Sequence, residues 1–380
     1  MDQSLYSYSL CAAIPLMLFF GFHMLLARTP DKKIYSNFLL SRRLMGIAML
    51  VLTANYCVHF FCTPRVKDVN ATIMMNLVTY FISYWLFSSA LMTLLDNRYI
   101  TRRRFLRHVG IWIAFAAVSS IVLLFVHDKK VEYWGLLLLA AWLVSYGFFL
   151  SVRLLRTYYR AIKMLDNTHS DDIGAYIKWL SIFTFWALGF GVSCGLLTFL
   201  PNNYVFIWII SAIPFYVYLY CCYHNYALSY EKVETAIQED MQMTESANEE
   251  SPIEIEAGDA PIYHNDISRR IKEWIGRNGY CKPGLTLKEL SLELCTNRTY
   301  LSEYIHTVYN ISFREWIADL RIEHAKQLMK DEPQLKLLEI SEACGFLSIS
   351  HFTRTFNDKE GSLPSRWRKT VLISDGKSMK

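Results

Sequence analysis

The sequence predicts an all-α chain in two folded parts, a seven-helix transmembrane bundle followed by a helical domain that contains two helix-turn-helix units. Three observations support this. The 380 residues are 53% hydrophobic but only 19% charged, whereas soluble domains carry about 25% charged residues. Long uncharged stretches fill the N-terminal half, and an internal repeat lies in the C-terminal third. The composition argues against a single water-soluble enzyme.

The net charge of +5 is the sum of three unequal regions. Residues 1–229 carry 19 basic and 9 acidic side chains, residues 230–261 carry 1 and 10, and residues 262–380 carry 19 and 15. We therefore expect a membrane domain at 1–229, an acidic connector at 230–261, a third domain at 262–372 and a tail at 373–380.

Seven stretches in the first region lack Asp, Glu, Lys and Arg. Each is long enough to cross a bilayer core of about 30 Å, which takes roughly 17 to 25 residues. They lie near residues 5–26, 44–62, 72–95, 109–126, 134–152, 179–200 and 204–226. One such stretch could be a buried core helix, but seven in succession predict a bundle in a lipid bilayer.

Basic residues in the connecting loops predict the orientation of this bundle. The first, third and fifth loops carry fifteen Lys and Arg, and the second, fourth and sixth carry four. Basic loops are retained in the cytoplasm, so we expect the N-terminus outside and the region after residue 226 inside. The first stretch lacks a basic N-terminal flank, which favours a retained span over a cleaved signal peptide.

Three polar side chains in the predicted spans form a candidate signal pocket. Asn55 and His59 lie four residues apart, hence on one helix face, and Asn76 lies near the outer end of the third span. Polar groups in lipid are costly and often functional. The competing interpretation is that they form interhelical hydrogen bonds that hold the bundle together. The sequence does not identify the signal.

The nine cysteines are odd in number and form no CxxC pair or Cys/His cluster at metal-ligand spacing. We therefore expect no disulfide scaffold, no metal and no cofactor. We also find no converging set of nucleophile, acid and base, and expect no catalytic residue.

The acidic connector begins with an apolar stripe that continues the last span. Its members are Tyr230, Val233, Ile237 and Met241, at spacings of 3, 4 and 4. The stripe is shorter than a coiled coil requires, so we expect a solvated helical stub, with a dimerising signalling helix as the alternative. Residues 244–261 have the composition of a flexible charged linker.

Helix starts are well marked in the third region. Ile267, Ile271 and Ile275 predict an amphipathic helix opened by Asp266. Two capping boxes follow, in which a hydroxyl and a carboxylate satisfy each other's free backbone N–H groups. They are Thr286 with Glu289 and Ser312 with Glu315, and the second opens a helix to about Lys330.

Two segments of this region are copies of one motif. At an offset of 50, Leu287, Leu290, Ser291 and Leu294 pair with Leu337, Ile340, Ser341 and Cys344. At an offset of 51, Asn297, Leu301, Ser302, Ile305, Asn310 and Trp316 pair with Ser348, Phe352, Thr353, Phe356, Gly361 and Trp367. The slip falls in the turn, at Gly345-Phe346. Each copy predicts a helix-turn-helix unit, whose second helix presents its N-terminal side chains to the DNA major groove.

Several spaced motifs in the same region carry a family resemblance. They are RIEHAKQLM at 321–329, ISEACGF at 340–346, FTRTF at 352–356, and Gly361, Pro364 and Trp367. Together they resemble the AraC/XylS-type transcription regulators, over residues 264–370. The resemblance implies a seven-helix cytoplasmic domain in which a long helix, about 313–329, separates two recognition helices at about 298–306 and 349–357. These would enter successive major-groove turns roughly 34 Å apart.

The resemblance also implies eight side chains that face DNA bases. They are Arg298, Thr299, Ser302, Glu303, Ile349, Ser350, His351 and Arg354. Arg can donate two hydrogen bonds to guanine, and Glu can accept one from cytosine. For each residue the alternative is a solvated or phosphate-contacting side chain. The apolar residues Leu301, Ile305, Phe352 and Phe356 are expected in the core.

The sequence thus predicts a membrane-bound, sequence-specific transcription regulator in the bacterial cytoplasmic (inner) membrane. Its expected partners are double-stranded DNA, the lipid bilayer, RNA polymerase and a second copy in a homodimer. A change in dimer geometry is one route for the signal, and competition of the acidic connector with DNA is another. The alternative function is a multi-pass transporter or membrane enzyme with a regulatory cytoplasmic tail.

Overall fold

The computed structural model describes residues 3–96, 98–126, 128–201, 204–249 and 260–374. Within these residues the regular structure is helical, apart from one isolated antiparallel bridge between His169 and Thr286. The predicted all-α class is therefore confirmed for this part of the chain. Residues 250–259 of the predicted connector and 375–380 of the predicted tail lie outside it.

The chain divides into two compact units. The first consists of Met1–Ala161 and Tyr176–Thr235, and the second consists of Ile162–Ala175 and Ala236–Lys380. The structure therefore groups a short internal segment, residues 162–175, with the C-terminal unit, whereas the sequence boundaries place it inside region 1–229.

The described part of the first unit is built from long apolar helices and one short helix. They are α1 (Gln3–Leu26), α2 (Ser36–Cys62), α3 (Pro64–Lys67), α4 (Val69–Thr93), α5 (Arg102–Phe125), α6 (Lys129–Thr168), α7 (Lys178–Leu197) and α8 (Val205–Glu249), the ends of α6 and α8 belonging to the second unit. Among the described residues, seven helices are long and apolar enough to cross a membrane, judged by length and composition alone. Each predicted stretch overlaps one of them.

Aromatic side chains connect the helices of this unit. Phe81 of α4 stacks on Phe115 of α5 and on Tyr146 of α6, with ring centroids 4.4 and 4.3 Å apart. Such offset or stacked pairs add to the packing energy of the buried rings. They tie three sequential helices into one bundle.

The connector stripe differs from its prediction. Helix α8 continues to Glu249, so residues 244–249 are helical although the sequence predicts a linker. Tyr230 and Val233 are fully buried, and the Tyr230 ring lies 5.4 Å from Tyr35 and 5.1 Å from Phe38. The prediction of a solvated stub is wrong for these two residues, because the first loop and the start of α2 supply an aromatic surface that covers them.

In the described part of the second unit, seven α-helices lie between residues 260 and 374. They are α9 (Ala260–Gly276), α10 (Leu287–Glu293), α11 (Arg298–Tyr309), α12 (Phe313–Asp331), α13 (Leu337–Ala343), α14 (Ile349–Glu360) and α15 (Pro364–Ser374). Two apolar cores hold them. The larger contains Trp274 stacked on Trp316 at 5.8 Å, and the smaller centres on Phe346, Phe352 and Phe356.

Local signals predict most helix starts correctly. Both predicted capping boxes are present, at Thr286 with Glu289 and at Ser312 with Glu315. The helix expected to open at Asp266 is different, because α9 begins at Ala260. Asp266 lies inside that helix and pairs with Arg269 and Arg270, three and four residues further on. This spacing places opposite charges on neighbouring turns, so the Asp266 carboxylate forms ion pairs along the side of the helix and does not open it.

The sequence repeat is also a structural repeat. Cys295 and Gly345 both have positive φ, of 49° and 80°, at the same point of their turns. The N–H of Thr296 donates to the Ser291 carbonyl, and that of Phe346 donates to the Ser341 carbonyl. Because these bonds align at an offset of 50 and the helix caps align at 51, the extra residue of the second turn is Leu347.

Candidate nucleic-acid interface

Helices α11 and α14 are the second helices of the two helix-turn-helix units. The Asn297 side chain caps α11 by accepting the N–H of Thr299 at 2.7 Å. Ser348 caps α14 by accepting the N–H of His351 at 3.2 Å. Both helices end at a residue in the left-handed conformation, Asn310 with φ 56° and Gly361 with φ 67°. The repeat therefore begins and ends two helices of equal length in the same way.

The predicted core and the predicted base-facing residues lie on different sides of these helices. Leu301, Ile305, Phe352 and Phe356 are fully buried, which confirms the expected core. The eight candidates are accessible: Thr299, Glu303, Ile349, Ser350 and Arg354 are exposed, and Arg298, Ser302 and His351 are half-buried. The arrangement leaves one polar face on each helix, as contact with a DNA groove requires.

A segment absent from the predicted site contacts one of these faces. We call residues 162–175, which comprise the last residues of α6 and part of its connection to α7, the acidic segment. It carries Asp166, Asp171 and Asp172 in a loop whose other charged side chains are basic. That contrast is the signal in the sequence that could have drawn attention to it.

Two carboxylates of the acidic segment pair with arginines of α12 and α14. Asp166 forms an ion pair with Arg314 near the start of α12, with 2.7 Å between Oδ1 and Nε, and its Oδ2 accepts a hydrogen bond from Arg314 Nη2 at 3.5 Å. Asp172 pairs with Arg354 on α14 and lies 3.8 Å from Arg314. The Arg354 side chain remains half-exposed in this contact. A predicted base-reading guanidinium is thus already bound to a carboxylate of the same chain.

The third carboxylate lies in the interior. Asp171 Oδ1 is 3.5 Å from a guanidinium nitrogen of Arg321, and both side chains are buried. Arg321 also donates to the backbone carbonyls of Tyr280 at 2.8 Å and Lys282 at 2.7 Å. A buried charge needs such partners, because leaving one unpaired costs several kcal/mol. Arg321 therefore holds the acidic segment and the loop before α10 together.

Backbone contacts reinforce this attachment. The Ser170 N–H donates to the Leu285 carbonyl at 3.0 Å, and His169 forms the antiparallel bridge to Thr286. Gly284 has φ +71°, which glycine adopts without strain. The acidic segment therefore pairs with the loop before α10 in the way that one short antiparallel β-strand pairs with another.

His351 shares this environment. Burial lowers the pKa of the His351 imidazole, and the carboxylates of Asp171 and Asp172 oppose that effect. Its ring lies edge-on to Phe346, with centroids 5.6 Å apart. A neutral imidazole is therefore favoured on the face of α14 that carries Arg354.

Each of the three residues of the candidate signal pocket forms a side-chain hydrogen bond to another helix, and two of them, His59 and Asn76, bond to each other. The Tyr6 hydroxyl is 2.7 Å from His59 Nδ1, and His59 Nε2 is 2.8 Å from Asn76 Oδ1. Asn76 in turn donates to the Thr198 hydroxyl at 2.9 Å. Asn55 donates separately to a hydroxyl on α4 at 3.1 Å. This geometry agrees with the interpretation in which these side chains form interhelical hydrogen bonds that hold the bundle together.

A cavity of about 110 Å³ lies elsewhere in the first unit. Its walls are aromatic rings and aliphatic chains from α2, α4, α6, α7 and α8, with hydroxyls from Ser83, Ser88, Ser151 and Thr184. Among the described residues, no Asp, Glu, Lys or Arg lines it, and neither do Asn55, His59 or Asn76. The cavity suits an uncharged molecule.

Over the described ranges, no group of three or more His, Cys, Asp or Glu side chains is arranged to hold a metal ion.

Comparisons with known proteins concern the second unit. Residues 290–370 match a helix-turn-helix domain family. The chain is 33% identical over 93 residues to the virulence regulon transcriptional activator VirF of Yersinia enterocolitica, which covers 24% of this chain and 34% of VirF. It is 34% identical over 83 residues to the HTH-type transcriptional regulator ExsA of Pseudomonas aeruginosa, covering 22% and 30%. It is 27% identical over 109 residues to the Msm operon regulatory protein of Streptococcus mutans, covering 29% and 37%.

The chain spans about a third of the length of these curated relatives. No solved structure shows significant similarity to it. The family match covers both recognition helices, α11 and α14, and the long helix between them. Residues 290–370 are therefore a helix-turn-helix domain.

Proposed function

We propose that this protein is a membrane-bound, sequence-specific DNA-binding transcription regulator. The observation that carries the proposal is the structural repeat: two equally capped helices, α11 and α14, each with a polar face over a buried apolar face. A long helix, α12, separates them. The matching relatives are named as transcriptional regulators, and we propose no enzymatic activity.

Base reading is assigned to the eight accessible residues of α11 and α14 named above. Arg298 and Arg354 have the strongest chemistry for it, because a guanidinium can donate two parallel hydrogen bonds to guanine. Both carry a positive charge that also favours phosphate contacts. RNA polymerase is the expected further partner of the DNA-bound protein, and a homodimer would place two such domains on repeated half-sites.

The membrane part of the proposal rests on the seven long apolar helices and on the basic first, third and fifth loops. The predicted topology places the fifth loop, which holds the acidic segment, on the cytoplasmic side together with the C-terminal domain. The contacts of Asp166 and Asp172 with Arg314 and Arg354 are compatible with that arrangement. We place the protein in the bacterial cytoplasmic membrane.

Signal sensing is assigned to the first unit. The uncharged cavity offers volume for a ligand, and the hydrogen-bonded chain through His59 and Asn76 offers a polar site. Of the two, the cavity is the better candidate, because His59 and Asn76 already form hydrogen bonds with each other and with neighbouring hydroxyls.

Selection from a library of random duplexes tests the DNA-binding claim. The full-length protein in lipid nanodiscs should enrich sequences with two conserved half-sites, one helical turn apart. The double variant Arg298→Ala/Arg354→Ala serves as the control and should enrich little. Equal enrichment by both proteins, or none by either, would contradict the proposal.

Removing residues 262–380 separates the regulator from the alternative, a transporter or membrane enzyme with a regulatory tail. The regulator loses all DNA-dependent control of its target genes. A transporter or enzyme would keep solute uptake or turnover after the deletion, with transcription unchanged.

A further inference from the structure

We propose that the acidic segment, residues 162–175, is an intramolecular docking site that competes with duplex DNA for Arg314 and Arg354. The inference rests on the proposed DNA-binding function. It adds a partner for the recognition surface and a means by which the N-terminal unit controls it. Four carboxylates of the acidic connector were expected to compete with DNA: Glu249 is the last residue of α8, and Glu250, Glu254 and Glu256 lie outside the described residues.

Carboxylates and DNA phosphates are chemically equivalent partners for an arginine. A carboxylate and a phosphate both present two anionic oxygens to a guanidinium, and both accept paired hydrogen bonds from it. Asp166 contacts Arg314 through both of its oxygens, at 2.7 and 3.5 Å. Asp172 pairs with Arg354. Each arginine therefore has to leave a carboxylate before it can bind a phosphate or a base.

Different residues of the acidic segment anchor it and form its exchangeable ion pairs. Asp171 is buried with Arg321, and Ser170 and His169 are fixed to the loop at Leu285 and Thr286. These contacts anchor the segment. Asp166 and Asp172 are each about one-fifth exposed, and their arginine partners are more exposed still, so these ion pairs can exchange for DNA while the anchor persists.

These ion pairs are weak, because a pair at an accessible position changes a binding constant by no more than about fivefold. That is enough to weaken DNA binding several-fold and too little to abolish it. The contact therefore sets a threshold that a signal can shift.

The acidic segment is covalently continuous with two helices long and apolar enough to span a membrane, since it contains the end of α6 and leads into α7. A rearrangement of those helices must move one or both ends of the segment. A signal in the first unit can thereby change how firmly Asp166 and Asp172 hold their arginines.

The test measures DNA affinity of the full-length protein in nanodiscs, with the duplex obtained from the selection and with a random duplex of the same length. Asp172→Asn should bind both duplexes roughly two- to tenfold more tightly than the wild type, the range expected for loss of one or two accessible ion pairs. Asp166→Asn should act in the same direction. The control Asp31→Asn removes the same charge from an exposed residue of the first loop and should leave affinity unchanged.

A double-mutant cycle assigns the effect to its arginine. In an Arg354→Ala background, Asp172→Asn should no longer increase affinity by the same factor. If Asp172→Asn and Asp31→Asn have equal effects, or if the gain is the same with and without Arg354, the proposed competition is wrong. If neither the wild type nor any variant prefers the selected duplex over the random one, the proposed function itself fails. Tighter binding by Asp172→Asn to both duplexes, lost with Arg354, supports the competition whichever sequence is bound.

Discussion

The two helix-turn-helix units have one scaffold and two different turns. The first turn places Cys295 in the left-handed conformation, and the second places Gly345 there and adds Leu347. The first helix-turn-helix unit packs into the larger core with Trp274 and Trp316, whereas the second helix-turn-helix unit packs into a smaller cluster of phenylalanines.

The units also differ in their electrostatic partners. On α14 of the second unit, Arg354 is paired with Asp172 of the acidic segment. The buried pair of Asp171 with Arg321 lies next to the second turn, where the guanidinium is 5.6 Å from the centre of the Phe346 ring. A repeated motif can thus keep its backbone geometry while one copy acquires an ion pair with a distant segment of the chain.

The largest effect should come from Arg321, because it attaches the acidic segment to the C-terminal helices of the same compact unit. Arg321→Met leaves Asp171 buried without its cation and should destabilise this unit by about 3 to 5 kcal/mol. Hydrogen exchange of α12–α14 peptides in the full-length protein, over a urea series, measures the loss. The double variant Arg321→Met/Asp171→Asn should recover part of it. A loss below about 1 kcal/mol would mean that the pair does not hold the segment.

The next test compares the two turns. A Cβ on Gly345 would lie 2.1 Å from the carbonyl oxygen of Cys281, in addition to the strain of φ +80°. We expect Gly345→Ala to cost about 3 kcal/mol or more. Gly361→Ala is the matched control, since its φ is +67° but nothing lies near its Cβ, and it should cost only about 1 to 2 kcal/mol.

Equal losses in these two alanine variants would show that backbone conformation alone makes the second turn need glycine. Cys295→Gly, at the equivalent position of the first turn, should change the free energy of unfolding by no more than about 1 kcal/mol. The same exchange measurement compares all three variants.

A smaller difference lies at the first helix of each unit. Thr286 caps α10 with its hydroxyl, whereas the equivalent cap of α13 is Lys336, which has no side-chain acceptor. Glu339 accepts the Lys336 N–H at 2.8 Å, so half of a capping box exists already. Lys336→Thr should complete this capping box and stabilise the second helix-turn-helix unit by about 1 kcal/mol. Thr286→Lys should destabilise the first helix-turn-helix unit by a similar amount. A gain in stability for Lys336→Thr with a loss for Thr286→Lys would confirm this difference between the two caps, and a loss in both variants would contradict it.

The smallest expected effect depends on pH. Burial lowers the pKa of His351, so the folded state binds its proton less readily than the unfolded state does. The stability from neutral His351 is present above the pKa of the unfolded imidazole, about 6.5, and is lost as the pH falls through the folded pKa. Between pH 7 and 5 the wild type should therefore lose more stability than His351→Gln. In an Asp172→Asn background this difference should grow, because a carboxylate that favours the protonated ring is gone.

Local features of this chain were predictable, and the long-range contact was not. The starts of α11 and α14 follow from Asn297 and Ser348, because a cap acts on the residues directly after it. The core positions follow from the spacing of Leu301 and Ile305 in one copy and Phe352 and Phe356 in the other. Each of these inferences uses residues within one helix.

The acidic segment required the structure. Asp172 is 182 residues from Arg354 in the chain, and no periodicity connects a loop between two apolar helices with a distant recognition helix. Burial of Tyr230 was missed for the same reason, since its aromatic partners Tyr35 and Phe38 lie far away in sequence. The unexpected aspartates in a basic loop were the one local sign of a specific partner.

Footprinting of full-length wild type, Arg298→Ala and Arg354→Ala on the selected duplex tests the central claim most directly. The claim is that two recognition helices read separate half-sites and that the acidic segment restrains the second. Arg298→Ala should lose sequence preference in one half-site, and Arg354→Ala in the other, each by about 1 to 3 kcal/mol. Asp172→Asn should strengthen protection over the Arg354 half-site alone. A uniform loss over both half-sites and over random DNA would assign both arginines to phosphate and contradict the account.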